Sequence, residues 1–361
     1  MKSDEYWQLR ALQREADSHK DAASTALRLR ALYEQASKDL QKRVHKIFDA
    51  YVDYAGIDEQ KARELLSTQE SAELLEELRK QYEETSNAEA LAKLNAPAYE
   101  YRISRLQAAR RAVEAELDKL ATQEEKTGAG QLVDTYDKSY YKTAYDTLPE
   151  LPDSPVVPLS QNVVEEAVQN KWDGKNYSER VWKNRDKLAQ EAGRIIDSSA
   201  VSGASITQMT KELSDLLDVG SYVAARLIRT EVNRMHNNAA LASYTAMGLK
   251  EYKYIATLDC RTCAVCGALD GKVFPIAEAH TGVNFPPIHP NDRCTIAPVI
   301  PGTGPSGERT ARNPETGKNY TVPADMTYEK WRKSISKKYG ADSIQTASRQ
   351  RRKSIGTEKL I

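Results

Sequence analysis

Apolar residues recur at steps of three and four through much of the chain. Leu29, Leu32, Ala36, Leu40, Val44, Ile47, Phe48 and Tyr51 form one such stripe. That spacing gathers them on one face of an α-helix. Tyr99, Ile103, Leu106, Val113, Leu117 and Leu120 repeat it after Pro97, a residue that suits a helix's first turn. Between the two stripes lie DEQKARELLS (residues 58–67) and SAELLEELRKQYEE (residues 71–84), with acidic residues early and basic ones later. Residues 1–125 are therefore expected to form a helical bundle, hairpin or arm with narrow apolar stripes and charged outer faces.

The pattern breaks where TGAGQL and TLPELPDSPVVPLS bring Gly and Pro together. Proline removes a backbone donor and pushes its predecessor out of helical space. A linker or extended arm is expected over 126–160, with a short helix in DKSYYKTAYD. Helical signals return at Val163. Ser178 stands as the N-cap of a helix carrying Val181, Trp182, Leu188 and Ile195. A second helix starts at Ser205, with Ile206, Met209, Leu213, Leu216 and Leu217 inward. A third starts near SYVAARL and stops near Gly248, a plausible residue just beyond a helix end. EYKYIAT then alternates as a strand does. After Pro301 the chain is polar and rich in Gly and Pro, which predicts a poorly ordered basic tail over 304–361.

Charge changes this picture only at the C-terminus. The 361 residues carry 52 Lys and Arg and 52 Asp and Glu, a net of zero, which argues against a whole-chain polyanion binder. Residues 308–361 hold 13 basic and 6 acidic side chains, a net of +7, with the cluster RQRRK at 349–353. On charge alone that tail suits weak contact with DNA phosphates. The charged N-terminus lacks the apolar core of a signal peptide, and no run reaches the roughly 18 apolar residues of a membrane span.

All four cysteines fall in one region. Cys260, Cys263 and Cys266 lie within DCRTCAVCGALDGKVF, and Cys294 follows His289 in PPIHPNDRC. In a reducing compartment such clusters more often hold metal than form disulfides. Zinc takes four thiolate and imidazole ligands in a tetrahedron. Cys263 and Cys266 supply a Cys-x-x-Cys pair, with Gly267 expected to give the knuckle a positive φ. His289 and Cys294 form the second pair, giving a Cys₃His set for structural Zn2+. Cys260 in place of Cys263 gives a less usual spacing, and His280, the alternative to His289, lies on the variable-looking AEAHTG loop. The Cys-x-x-Cys-x-x-Cys run lacks the fourth cysteine and proline of an iron–sulfur motif. A redox Cys-x-x-Cys lacks its βαβ context. The segment RTEVNRMHN, with Arg229, Glu231, Arg234 and His236, reads as a polar helix face tying the cysteine loop to the bundle.

Taken together, Arg229-Thr230-Glu231, then Asp259, Arg261, Thr262, Cys263, Cys266, Leu269, Asp270 and Gly271, then Pro286, Pro287, His289, Pro290, Arg293 and Cys294 resemble the phage head morphogenesis, or minor capsid, proteins of the Mu F-like family. WDGKNYSERVWKN resembles the family's upstream segment. Many members have Cys where this chain has Asp292. The resemblance implies a mainly α fold: a long-helix N-terminal region, a helical Mu F-like domain over 161–303, and a small α+β zinc knuckle (251–300) at its C-terminal end. It implies a non-enzymatic, low-copy protein of the virion interior, made with portal, scaffold and capsid proteins and retained near the portal vertex. Some members are linked to DNA ejection and some carry fused toxin domains. The competing expectations are a zinc-supported DNA-binding protein and a His-Asn-His nuclease. The nuclease would need a histidine base beside an open metal site.

Overall fold

The computed structural model describes residues 3–55, 97–155, 157–202, 204–300, 302 and 308–340. The expected helices at 58–67 and 71–84 and the RQRRK cluster lie outside the described residues. The described fold is mainly helical: α1 (Asp4–Ala55), α2 (Pro97–Thr147), α3 (Gln161–Gln169), α4 (Tyr177–Ser202) and α5 (Ile206–Ala246) come first. Then follow β1 (Glu251–Ile255), α6 (Ala264–Leu269), β2 (Val273–Pro275), β3 (Thr295–Pro298), β4 (Glu308–Arg312), β5 (Asn319–Pro323) and α7 (Tyr328–Tyr339). Among the described residues no helix is long and apolar enough to cross a membrane.

The chain divides into two compact units, one of residues 1–27, 127–178 and 225–361, the other of residues 28–126 and 179–224. The second unit is a helical bundle. The predicted stripe buries Leu29, Ala36, Leu40 and Val44 from α1 and Val113, Leu117 and Leu120 from α2. Val181, Leu188 and Ile196 from α4 and Met209, Leu213 and Leu217 from α5 complete its core. Ile196, not the expected Ile195, is the buried neighbour in α4. Polar groups inside the bundle fix its register: Ser37 and Ser214 hydroxyls meet at 2.8 Å, and Trp182 Nε1 donates to Glu125 at 3.0 Å.

Tyr33 donates to the buried Glu124 carboxyl at 2.8 Å. Burial raises Glu124 to about 7, against the lowering effect of that hydrogen bond. The folded value lies above the ordinary 4.5. Its contribution to stability is therefore complete at acid pH and fades as pH rises through 7. The bundle is expected to lose several degrees of melting temperature between pH 5 and pH 8. Glu124→Gln should flatten that dependence, which thermal unfolding at both pH values checks.

Three boundaries differ from the sequence expectation. First, α2 runs through residues 127–147, so among the described residues the irregular backbone expected of the whole 126–160 linker is confined to 151–155 and 157–160. A helical Gly costs about 1 kcal/mol relative to Ala. Here the buried Leu132, Tyr136 and Tyr140 offset that cost. Gly128 is also required, because a Cβ there would lie 1.9 Å from the Tyr177 hydroxyl. Second, α5 is one helix where two were expected. Gly220 does not break it. A Cβ at this position would meet the Tyr33 ring at 2.7 Å, so the glycine serves close packing within the bundle. Third, α4 begins at Tyr177, which places Ser178 inside the helix and not at its cap. Ser205 does cap α5, accepting the Gln208 N–H at 3.1 Å. Gly248, at φ +78°, closes α5: Leu249 N–H reaches the Tyr244 carbonyl and Gly248 N–H the Thr245 carbonyl, both at 3.0 Å.

In the first unit, β1 is the centre of an antiparallel sheet of order β2-β1-β3, with Tyr252 opposite Phe274 and Pro298. Tyr252, Ile296 and Ile300 pack with Phe285, Leu249, Ala240 and Tyr244 and with Trp7 from the start of α1. The expected disordered tail is a correction as well. Residues 308–323 form the antiparallel hairpin β4–β5, and α7 follows, capped by Thr327. Ala311, Val322, Tyr328, Trp331 and Ile335 make a small core with Leu258. Most charged residues of this segment are exposed, the buried Arg309 excepted, while its apolar residues keep strand and helix periods.

Candidate metal centre

The strand order brings the cysteine loop and the His-Pro loop together, because β1 leads into one and β3 leaves the other. Cys263 is the N-cap of α6, its sulfur accepting the Cys266 N–H at 3.3 Å. That short helix turns the Cys266 sulfur towards the same side. Gly271, at φ +77°, returns the chain to β2, with its N–H on the Tyr254 carbonyl at 2.8 Å. Gly267 has no positive φ, contrary to expectation; it lies within α6. It is small because the Tyr328 ring sits 2.1 Å from where a Cβ would be. Gly267→Ala should therefore destabilise the loop by about 1–3 kcal/mol, as overpacking does. Chemical denaturation of the variant measures it.

The donors form two overlapping sets. The ligand atoms of Cys263, Cys266 and His289 all lie within 4.8 Å of one another, and so do those of Cys266, Asp292 and Cys294. Cys266 Sγ stands 3.4 Å from His289 Nε2. His289 Nδ1 lies 2.9 Å from the Pro290 carbonyl, a contact that needs the proton on Nδ1 and makes Nε2 the nitrogen facing Cys266. Hydrogen bonds from the Cys294 thiol and then His289 pull Cys266 down to about 5, despite burial. The contact with Cys266 raises His289 to about 10, while burial holds Cys294 well above the ordinary thiol. Two sulfurs, Cys263 and Cys266, beside the His289 imidazole are the donor types that zinc takes. The hydroxyl of Tyr254 is buried beside the sulfurs of Cys266 and Cys294. It suits a donor to a metal-bound sulfur.

Cys260 packs instead against the Leu258–Trp331 core, and His280 is an exposed loop residue. Neither joins a donor set. The RTEVNRMHN segment lies within α5 and holds this loop. Thr230 Oγ1 accepts the Asn291 N–H at 2.9 Å, and Asn233 and Asn237 donate to the Cys294 carbonyl at 3.0 and 3.3 Å. Thr295 donates to Asn237 at 3.0 Å. The buried Glu231 accepts from Trp172 Nε1 at 2.7 Å and from the buried Arg234 Nε at 2.8 Å. His236 is buried beside Ser139 Oγ at 2.9 Å; burial, then the nearby Arg14, drives it down to about 3, so it is neutral.

Two carboxylates brace the loop. Asp259 accepts the N–H groups of Arg261 and Thr262 at 2.8 and 3.1 Å and is gripped by both terminal nitrogens of Arg293. Burial would raise it, but Arg293 and these bonds outweigh burial and hold it at about 2. Asp270 accepts from Ala256 N–H at 2.8 Å, Tyr328 N–H at 2.7 Å and Arg309 at 2.9 and 3.1 Å. Arg309 also donates to the Ala256 and Met326 carbonyls, both at 2.8 Å. Sequence reasoning missed this second brace because it treated residues 304–361 as tail. The alternation of ERTAR and NYTVP about NPETG is the signal that marks the hairpin.

Comparison with known proteins bears on the same region. Residues 191–297 match the family described as Phage Mu protein F like protein. One curated relative, NAD(+)--arginine ADP-ribosyltransferase EFV of Enterococcus faecalis, is 28% identical over 148 residues. The match covers 37% of this chain and 30% of that protein, so the chain spans under a third of the relative's length. No solved structure matches.

Proposed function

We propose that this chain, whose residues 191–297 match the phage Mu protein F-like family, is a minor head protein of a tailed bacteriophage. It acts in head morphogenesis, is retained at low copy inside the virion near the portal, and takes its place with portal, scaffold and capsid proteins as the head assembles. The observation that carries this is the coincidence of the family match with the two braced loops. The matched segment spans α5, which anchors the site, and nearly all of the residues that build it. The Mu F-like domain extends over 161–303. The ADP-ribosyltransferase activity in the relative's name belongs to that protein.

The site's role in this reading is structural. Zn2+ is held by Cys263, Cys266 and His289, with the fourth position supplied from the second donor set, Asp292 and Cys294. The metal, when bound, cross-links the two loops. Asp259, Asp270, Thr230 and the two asparagines hold those loops in place around it. A filled tetrahedral set leaves no open position for a substrate water, which favours a scaffold over a nuclease. Co-expression with a tagged portal protein tests the partner. The chain should be retained with portal from lysates lacking shell protein. Retention only by shell protein, or by neither, overturns the portal assignment.

A further inference from the structure

Cys263 and Cys266 are neighbouring sulfurs in one turn of the chain. Neither is in a disulfide, and the two sulfurs lie within 4.8 Å of each other. The Cys263 sulfur also accepts the Cys266 N–H at 3.3 Å, and the Gly267 N–H closes the same turn on the Cys263 carbonyl at 2.9 Å. Access separates the sulfurs of the two donor sets. Cys263 is half-buried, whereas Cys266 and Cys294 are 1% and 2% exposed. Cys260 is half-buried too, but it packs against the Leu258–Trp331 core and joins neither set. A small molecule arriving from solvent therefore meets Cys263 first among the donor sulfurs. The cysteine that shares a donor set with Cys263 is Cys266.

The role proposed above takes such a pair through two redox settings. A head protein is made in a reducing cytoplasm, where thiols stay reduced, and is then held in particles outside the cell, where disulfides form and persist. Zinc is held by thiolate sulfur, and a disulfide sulfur is no longer one. Oxidation within the Cys263–Cys266 turn thus removes two donors at once.

Resting on the metal reading above, we propose that Cys263 and Cys266 are a redox switch: a low-molecular-weight disulfide converts them to an intramolecular disulfide, and the zinc is released. The Cys263 sulfur attacks one sulfur of the oxidant, whose S–S bond breaks, and the first thiolate leaves with the bonding electron pair. The Cys266 sulfur then attacks the Cys263 sulfur and displaces the second thiolate. The two cysteine sulfurs lose two electrons, the oxidant gains them, and both leaving thiolates take their protons from water. The new bond closes within one turn, so the metal link from that turn to the His289 loop is lost. The hydrogen bonds from Asn291 to Thr230 and from Asn233 and Asn237 to the Cys294 carbonyl still hold that loop on α5. A reducing cytoplasm reverses the exchange.

Oxidised glutathione added to the zinc-loaded full-length chain tests this. A chromogenic chelator reads the released zinc, and mass spectrometry after trypsin maps the cysteines. Cys263 and Cys266 fall on one tryptic peptide, Thr262–Lys272, while Cys260 and Cys294 fall on others. About one zinc should be released per disulfide formed, with that peptide lighter by two hydrogens. A reductant should restore both sulfurs and zinc binding. Cys260→Ser should behave as the unmodified chain, and Cys266→Ser should keep glutathione on Cys263. Zinc retained with Cys263 and Cys266 still reduced overturns the proposal. So does glutathione left on Cys263 of the unmodified chain, or a cross-link from Thr262–Lys272 to the Cys294 peptide. A chain that takes up no zinc removes the metal reading itself, an outcome distinct from oxidation at the wrong cysteine.

Discussion

Chelating zinc from the full-length chain is expected to raise amide hydrogen exchange across residues 251–300 by several orders of magnitude. Residues 28–55, 106–126 and 179–224 should keep their protection. Structural zinc can supply roughly 10–16 kcal/mol of apparent folding free energy, more than a small three-stranded sheet and two loops can replace. The site's loops are joined by the cysteine cluster, by Asp259–Arg293 and by α5 contacts, none of which belongs to the bundle formed by residues 28–126 and 179–224. Exchange should also rise at the start of α1, because Trp7 packs in the same core as Tyr252 and Phe285. Uniform unfolding, or no change anywhere, contradicts a structural metal confined to this region.

Asp270→Ala is expected to cost about 3–5 kcal/mol, the range for removing one partner of a buried ion pair. Asp270 and Arg309 side chains are 0% and 3% exposed, so Arg309 would be left charged inside the protein. The same change orphans the N–H groups of Ala256 and Tyr328. Residues 308–340 should then lose exchange protection before the sheet does. Asp270→Asn keeps an acceptor and should cost less. By contrast, Glu329→Ala breaks a pair whose side chains are 75% and 76% exposed, and is expected to leave stability almost unchanged. Denaturant titration of the three variants gives the order. A cost for Asp270→Ala as small as that of Glu329→Ala would mean that the hairpin and α7 do not depend on this carboxylate.

The helical stripes were legible in the sequence because burial in a bundle imposes a period that few alternatives share. Val44, Val113, Leu117 and Leu213 all fall where their spacing puts them. Glycine misled at Gly128 and Gly220, since a sequence shows the loss of a side chain but not the tyrosine that needs the space. The pairing of the Cys263–Cys266 loop with the His289 loop was legible too, from ligand type and spacing. What spacing could not show is that Asp292 is buried beside Cys266 and Cys294, held by three backbone N–H groups. Composition hid residues 308–340 for a similar reason. A segment rich in Lys and Arg reads as solvated, although Trp331, Tyr328 and Val322 carry a core.

Quantitative mass spectrometry of purified head particles, assembled by co-expression with portal, scaffold and shell proteins, tests the minor-head-protein assignment most directly. The chain should be present at far fewer copies than the shell subunit, and particles assembled without portal should lose most of it while the shell still forms. A copy number equal to that of the shell, or absence from particles with the protein left free in the lysate, contradicts it.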